Sequence, residues 1–530
     1  MSRNRGVDVL ERPAPAPAEP RLGVPVAILV GVLSVAAALA AGHLVAGFIG
    51  PTASPFLAVG NSAIDLTPQP VKDWAIRAFG VHDKLVLLIG MGLVLLILAA
   101  LAGLLSRRRS WPGVALAAAV GGLGFLAVLG RPDLGQLGVL APAASLLTGV
   151  LVFRWLHGLA RRAESAKNGG AESTDETRRA FLLSSAGVAV GAGVLGGAGQ
   201  LLSVRVDVEG SRAAIGSLVP AEPAPPVPAG ADFAGNGTPR FLTANERFYR
   251  VDTALTVPRV RAQDWRLRIH GLTDREVSFS FSDIRDRRLV ERPVTLTCVS
   301  NEVGGEYVST ANFVGVPIRD LLLEAGVRPG AESVLSTSAD GFTANTPVDA
   351  LLDQRRGALL AIGMNGEPLP VEHGFPARMV VPGLYGYVSA TKWVVDWELT
   401  TFQAREGYWI PRGWAAKAPI KTQSRIDSPR PDATVPAGRL VVAGIAWAQT
   451  VGIDRVEVRL DEGAWQPAEL ATEVSLATWR MWRVTVDAGR GEHKVEVRAT
   501  DRTGRTQTDE RTAPAPDGAT GWHAVEFTAA

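Results

Sequence analysis

Cysteine is nearly missing from the chain: Cys298 is the single one in 530 residues. That excludes an intrachain disulfide, so any portion outside the cytoplasm rests on its hydrophobic core. Neither a CxxC pair nor an HExxH helix signature occurs, and one thiolate by itself does not hold zinc. Lysine is scarce too, seven against 47 arginines. With abundant alanine and glycine, this usage points to a GC-rich bacterial genome. Charge of one sign is not in excess either: the net charge is +2, which gives no reason to expect a nucleic-acid partner.

Long apolar runs are what the chain does have. Crossing about 30 Å of hydrocarbon takes about 20 apolar residues in a helix. Four runs qualify: about Val24 to Ile49, Lys84 to Leu105, about Pro112 to Gly130, and about Leu137 to Trp155. Four nearly charge-free runs in succession predict an all-α transmembrane bundle over residues 1–165. Arg3, Arg5, Arg12 and Arg21, then Arg107, Arg108 and Arg109, then Arg154, Arg161, Arg162 and Lys167 flank these runs and mark the cytoplasmic side. The Pro51 to Asp83 loop and the short loop at Arg131 then lie outside. His43, His82 and His157 fall near the membrane faces. A bis-histidine haem is not expected from them, because His82 precedes its span and haem pairs face one another within a bundle.

Residues 174–204 begin TDETRRAFLLSS and continue as a weakly hydrophobic Gly/Ala run. Arg178, Arg179, Phe181 and Leu182 resemble a twin-arginine translocation signal placed inside the chain. The resemblance implies export of a folded domain, often with its cofactor inserted. An ordinary fifth span with a positive flank is the other reading. No clear small-x-small cleavage site follows, so an uncleaved span is expected. Everything after about Val204 is then extracytoplasmic, on a multi-pass protein of the bacterial cytoplasmic membrane.

Residues 205–240, rich in Pro, Ala and Gly, read as an extended tether. Over 241–415, strand-like runs such as WRLRIHG and RPVTLTCVS alternate with helical pieces, an α+β pattern. NFVGVPIRDLLLEAG predicts a helix starting at Pro317 and capped by Gly326. Residues 420–530 show regular strands with tight turns, LDEGAW among them, and predict an all-β sandwich of the immunoglobulin kind. Cys298 stands in TLTCVSNEVGGEY, at a strand end before a polar, glycine-bearing loop. A thiolate there suits a nucleophile or a soft metal ligand; a small buried core residue is the bland reading. Spacing alone does not choose.

Motif order adds what spacing lacks. FLTANERFYRVDTALTVPRVRAQDWRLRIHG, TLTCVSNE and LPVEHGFPARMVVPGLYGYVSATKWV, followed by the β-rich end, resemble the sulfite oxidase family of molybdopterin-dependent oxidoreductases over residues 240–525. The resemblance implies a molybdenum-molybdopterin cofactor, with Cys298 as the metal's thiolate ligand. It places Asn245, Tyr249, Arg250, Val251 and Asp252 along the cofactor, with Arg250 also catalytic. Ser338 and Asp340 fall at pterin hydrogen-bonding positions, His373 and Arg378 at phosphate ligands, and Ala390, Thr391 and Lys392 at a further pterin contact. Tyr408 resembles the active-site tyrosine that positions substrate. One departure stands out: Asn301, Glu302 and Val303 occupy positions where the family places arginines. A carboxylate there opposes a dianion, so a neutral sulfoxide-type substrate stands level with sulfite. The implied partners are a small-molecule substrate, a cytochrome or quinone-linked electron-transfer protein, membrane lipid, and a second copy bound through the C-terminal sandwich. A non-catalytic anchored binding protein on the same scaffold is the rival.

Overall fold

The computed structural model describes residues 21–79, 82–131, 134, 136–168, 174–204 and 206–530. Arg3, Arg5 and Arg12 lie outside the described residues. The chain divides into two compact units, Met1–Arg205 and Val206–Ala530.

Five helices of the first unit are long and apolar enough to cross a membrane: Val24–Ile49, Asp83–Leu105, Trp111–Leu129, one within Gln136–Ala166, and Asp175–Leu202. Small residues let the first two approach closely. A Cβ added to Gly31 would stand 1.9 Å from the Ala99 carbonyl oxygen, and one on Gly103 the same distance from that of Ala27, which is how helices without a hydrophobic drive between them pack in lipid. Val30, Leu33, Phe153 and Leu156 fill the space between helices, while Leu85, Ile89, Leu93 and Ile97 point outward. Two features differ from expectation. The fourth helix runs on through charged residues as Leu140–Asn168, and the Pro51 to Asp83 loop contains helices Pro55–Leu66 and Gln69–Phe79. Both short helices fall below the length that a search for spans detects.

In the second unit, the stretch expected to be a tether is bound along the body. Helix Val208–Ile215 is capped by Asp207, whose carboxylate accepts the Gly210 N–H. Arg212 bonds the Pro368 and Leu369 carbonyls and pairs with Glu367 at 2.7 Å. Further on, Glu222 bridges to Val290, and Leu218, Ala231 and Phe233 are buried. Proline sets an extended path here, and scattered apolar residues rather than a periodic stripe fix it to the body.

Two five-stranded sheets follow. One runs Val277–Ser280, Arg266–Gly271, Val394–Thr400, Ser333–Ser338, Thr343–Pro347, with a parallel pairing between its second and third strands. The other path runs Val290–Thr297, Val308–Pro317, Leu359–Met364, Glu367–Pro368, with Arg378–Val380 also on Leu359–Met364, all antiparallel. Helix Ile318–Ala325 starts at Pro317 and ends at Gly326, whose φ of +76° favours glycine. Trp265, Trp393 and Trp397 are fully buried.

The last hundred residues form two more sheets around Val442, Val456, Trp482, Val497 and Phe527. The pairing is antiparallel except at Thr434↔Thr528. The hairpin expected at LDEGAW turns through Asp461 and Glu462, both at positive φ, as a tight primed turn requires. One face of this module shares the preceding core: Trp447, Trp479 and Met481 pack there, and the Gln449 amide donates to the Thr295 carbonyl at 2.9 Å.

Candidate active site

Cys298 follows the strand Val290–Thr297 directly. Its N–H donates to the Tyr307 carbonyl at 3.0 Å, and its own carbonyl accepts the Asn301 N–H at 3.1 Å. The Asn301 side-chain oxygen accepts the Tyr307 N–H at 2.8 Å. The 298–307 loop is therefore pinned at its base. The thiol is 8% exposed, and burial pushes its pKa up, against hydrogen bonds from Ser300. Such a thiol ionises when a cation faces it.

The Tyr249 ring packs on Phe248 at 5.5 Å and approaches Tyr307 at 6.3 Å. Burial drives its phenol far upward, and Cys298 and Arg378 both act on it electrostatically. The Gly386 backbone covers this point: an added Cβ would stand 3.6 Å from the Tyr249 hydroxyl and 3.7 Å from the Thr297 carbonyl.

Basic groups gather beside it. Arg378 is 4% exposed and donates to the His373 carbonyl at 3.1 Å and the Ala390 carbonyl at 3.4 Å. Burial brings it down to about 10. His373 Nε2 lies 3.0 Å from the Asn245 carbonyl, so this nitrogen carries the proton. Burial, then the Arg378 charge, hold the imidazole near 4, so it is neutral at pH 7. Lys392 Nζ donates to Asp252 Oδ2 at 2.9 Å, yet burial brings it to about 8. Arg250 Nε donates to the same oxygen at 2.9 Å.

Lys392 and Arg250 thus share the Asp252 carboxylate, and the Arg378 charge acts on both Lys392 and the His373 imidazole. Buried positive charge without a counter-ion is costly, and the lowered values of Arg378 and Lys392 record that cost. Two buried hydroxyls, Thr297 Oγ1 and Ser338 Oγ, have no hydrogen-bond partner among the described residues; such groups call for one. Surplus positive charge, orphaned hydroxyls and a soft sulfur donor fit a phosphate-bearing, metal-carrying cofactor.

The remaining expected residues are placed as follows. Asn245 is braced by Glu367 and Asn365. Thr391 bonds Ser336 at 2.7 Å, and its carbonyl accepts the Met379 N–H, which ties 390–392 to the Arg378 strand. Asp340 is buried and accepts the Phe342 N–H at 3.3 Å, shaping the turn after Ser338. Val251 is 47% exposed and offers the cluster backbone only. Tyr408 joins an aromatic group with Phe342 and Trp409, at 5.8 and 5.0 Å, and lies under the Arg412 guanidinium at 3.7 Å. That puts it beside the Ser338–Phe342 turn. Glu302 corrects an expectation: it is exposed, while Asn301 turns inward. Water screens that carboxylate, so it raises little obstacle to an anion. Tyr385 was not legible beforehand. It is buried, pushed up to about 12 by that burial, and acted on by Cys298. Thr297 had no signal beyond standing next to the cysteine.

The pH dependence of stability has a definite sign. His373 and His523 are both held near 4 by burial, below the usual 6.5. The unfolded chain therefore takes up their protons first, and their share of stability is full above about pH 6.5 and lost as pH falls through 4. Asp427, raised by burial to about 6, works in the opposite direction over the lower part of that window. In His373→Gln the unfolding midpoint is expected to fall less steeply between pH 6.5 and 4 than in the parent. Equal slopes would show that His373 is already charged in the native state.

Comparisons with known proteins cover the second unit. The family described as oxidoreductase molybdopterin binding domain matches residues 254–409, and the Mo-co oxidoreductase dimerisation domain matches 415–527. Sulfite oxidase of Gallus gallus is 30% identical over 328 residues, which span 51% of this chain and 69% of that protein. The NADPH nitrate reductase of Mycosarcoma maydis is 28% identical over 343 residues, spanning 47% of this chain and 34% of that protein. Among solved structures, the sulfane dehydrogenase SoxCD from Paracoccus pantotrophus shares 27% identity with a TM-score of 0.45, over 51% of this chain and 77% of that one.

Proposed function

The chain belongs to the sulfite oxidase family of molybdopterin-dependent oxidoreductases, and from that premise we propose that it is a membrane-anchored, extracytoplasmic enzyme performing oxygen-atom transfer on a small sulfite- or sulfoxide-type substrate. The observation that carries this reading is the buried basic cluster around Asp252, set beside the one buried thiol of the chain.

The molybdenum-molybdopterin group, when bound, supplies the two-electron redox chemistry. The chain's own residues do the rest. Arg378, Lys392 and the His373 imidazole would hold the phosphate, Arg378 through its planar fork. Thr297 and Ser338 would offer their hydroxyls to the pterin, and Cys298 would supply the soft ligand that suits this metal. Asp252, shared by Lys392 and Arg250, keeps both cations in place between substrate turnovers. Arg250, 42% exposed on its side chain, is positioned to meet an incoming oxyanion. Tyr408 orients substrate from the Ser338–Phe342 side.

The five apolar helices support an anchor, and Arg178 and Arg179, both exposed, support folded export. The C-terminal module supports a homodimer, and a cytochrome or quinone-linked protein completes the electron path. A binding protein without catalysis has no use for an under-neutralised cluster buried beside a thiol. Steady-state assays of the detergent-solubilised chain, sulfite with an artificial acceptor against methionine sulfoxide with an artificial donor, test the proposal. Turnover of one of them is expected; a fully loaded enzyme that turns over neither would refute oxygen-atom transfer at sulfur.

A further inference from the structure

The loop that begins at Cys298 has a second anchor, far from its base. Its Gly304–Gly305 turn is seated on the C-terminal module. Arg425 Nη1 donates to the Gly305 carbonyl at 2.8 Å, and Arg425 Nε is fixed by Asp427 Oδ1, also at 2.8 Å. Both of these side chains are 12% exposed. The His523 ring lies directly against Gly304: a Cβ there would stand 2.2 Å from two ring atoms, and the residue has a φ of +81°. On the other side of the turn, a Cβ on Gly305 would stand 2.5 Å from Asn301 Oδ1, the oxygen that pins the loop base. His523 Nδ1 in turn accepts the Ile426 N–H at 2.9 Å, so the imidazole, from the strand His523–Ala529, is tied to the strand Gln423–Ser428 that carries Arg425.

We propose that Arg425 and His523 are positioning residues for Cys298: through the Gly304–Gly305 turn, the C-terminal module sets the exposure and direction of the thiol. The module is thereby part of the site and not only a surface for association. The physical reason is local. A charge-assisted bond in a seam shielded from water is stronger than one at the surface. Removing the guanidinium would leave the Gly305 carbonyl without its donor and Asp427 without its cation, each a buried penalty. Two glycines with no room for a Cβ leave the turn no alternative seat. The functional meaning rests on Cys298 being the metal's ligand, but the mechanical claim is tested without metal.

Because Cys298 is the chain's only cysteine, a thiol reagent reads one position. The full chain is purified from a host unable to make molybdopterin, and the rate of alkylation by iodoacetamide is measured on folded protein, with circular dichroism and thermal unfolding as controls. Arg425→Gln is expected to label about tenfold faster or more, in line with the 10–100-fold effects of second-layer residues on metal sites, and Arg425→Lys to recover much of the slow rate. Gly304→Ala, which removes no hydrogen bond, is expected to label faster as well. His523→Ala, which takes away the ring seated against Gly304, is expected to label faster too. Parent-like rates in both Arg425→Gln and Gly304→Ala would overturn the proposal, and so would a parent-like rate in His523→Ala. If Arg425→Gln does not fold, Gly304→Ala and His523→Ala decide the matter. Should Cys298 turn out not to bind metal, these labelling rates would still stand or fall by themselves.

Discussion

Cys298→Ser is expected to leave a folded chain with no measurable turnover. Serine is close in size, and the thiol contributes little to a core built on Val294, Leu296, Phe313 and their neighbours, so the stability change should stay near the ~1 kcal/mol typical of point changes. The chemical change is larger. A hard, neutral hydroxyl replaces a soft, ionisable donor, and a bound metal would lose the ligand proposed to tune it. Arg378, Lys392 and the free hydroxyls of Thr297 and Ser338 are untouched, so pterin should still be recovered from the variant. Pterin fluorescence after oxidation, measured beside turnover, separates the two outcomes. Full activity in Cys298→Ser would refute the ligand assignment; loss of pterin along with activity would show that the sulfur also holds the cofactor in place.

Arg178→Lys combined with Arg179→Lys is expected to strand the second unit on the cytoplasmic side. The exchange is chosen because it preserves charge. A span oriented only by positive flanks does not distinguish lysine from arginine, whereas a receptor that reads guanidinium geometry does. Both arginines are exposed on helix Thr174–Val204, so the change disturbs no packing. Protease accessibility of the second unit in spheroplasts reads the result. Unchanged export of the double variant would reduce the segment to an ordinary fifth span.

The five long helices of the first unit were legible because a run of apolar residues long enough to cross a membrane is a one-dimensional signal. Helices Pro55–Leu66 and Gln69–Phe79 carry no such run and escaped notice. Helix Ile318–Ala325 and the turn at Asp461 were legible from local rules, a proline at entry, a glycine at exit, and a turn pair. Residues 206–240 were misread because proline-rich sequence looks alike whether it floats or is fastened, and Leu218 and Phe233 are too far apart to make a pattern. Within the site, Cys298, His373 and Arg378 could be named from motif order. What motif order did not give was the Thr297 hydroxyl, Tyr385, on which Cys298 acts, and Arg425 and His523 arriving from more than a hundred residues downstream. Glu302 shows the reverse error, since proximity in sequence to Cys298 suggested a charge in the site that the loop in fact turns to solvent.

The loss of turnover expected in Cys298→Ser depends on one central claim, that the basic cluster and the thiol hold a molybdenum cofactor. Elemental analysis tests it most directly. The full chain, expressed in a host that makes molybdopterin and purified in detergent, should contain close to one molybdenum atom per chain by inductively coupled plasma mass spectrometry, and an Arg378→Met, Lys392→Met double variant should contain almost none. A folded parent protein without molybdenum would contradict the account.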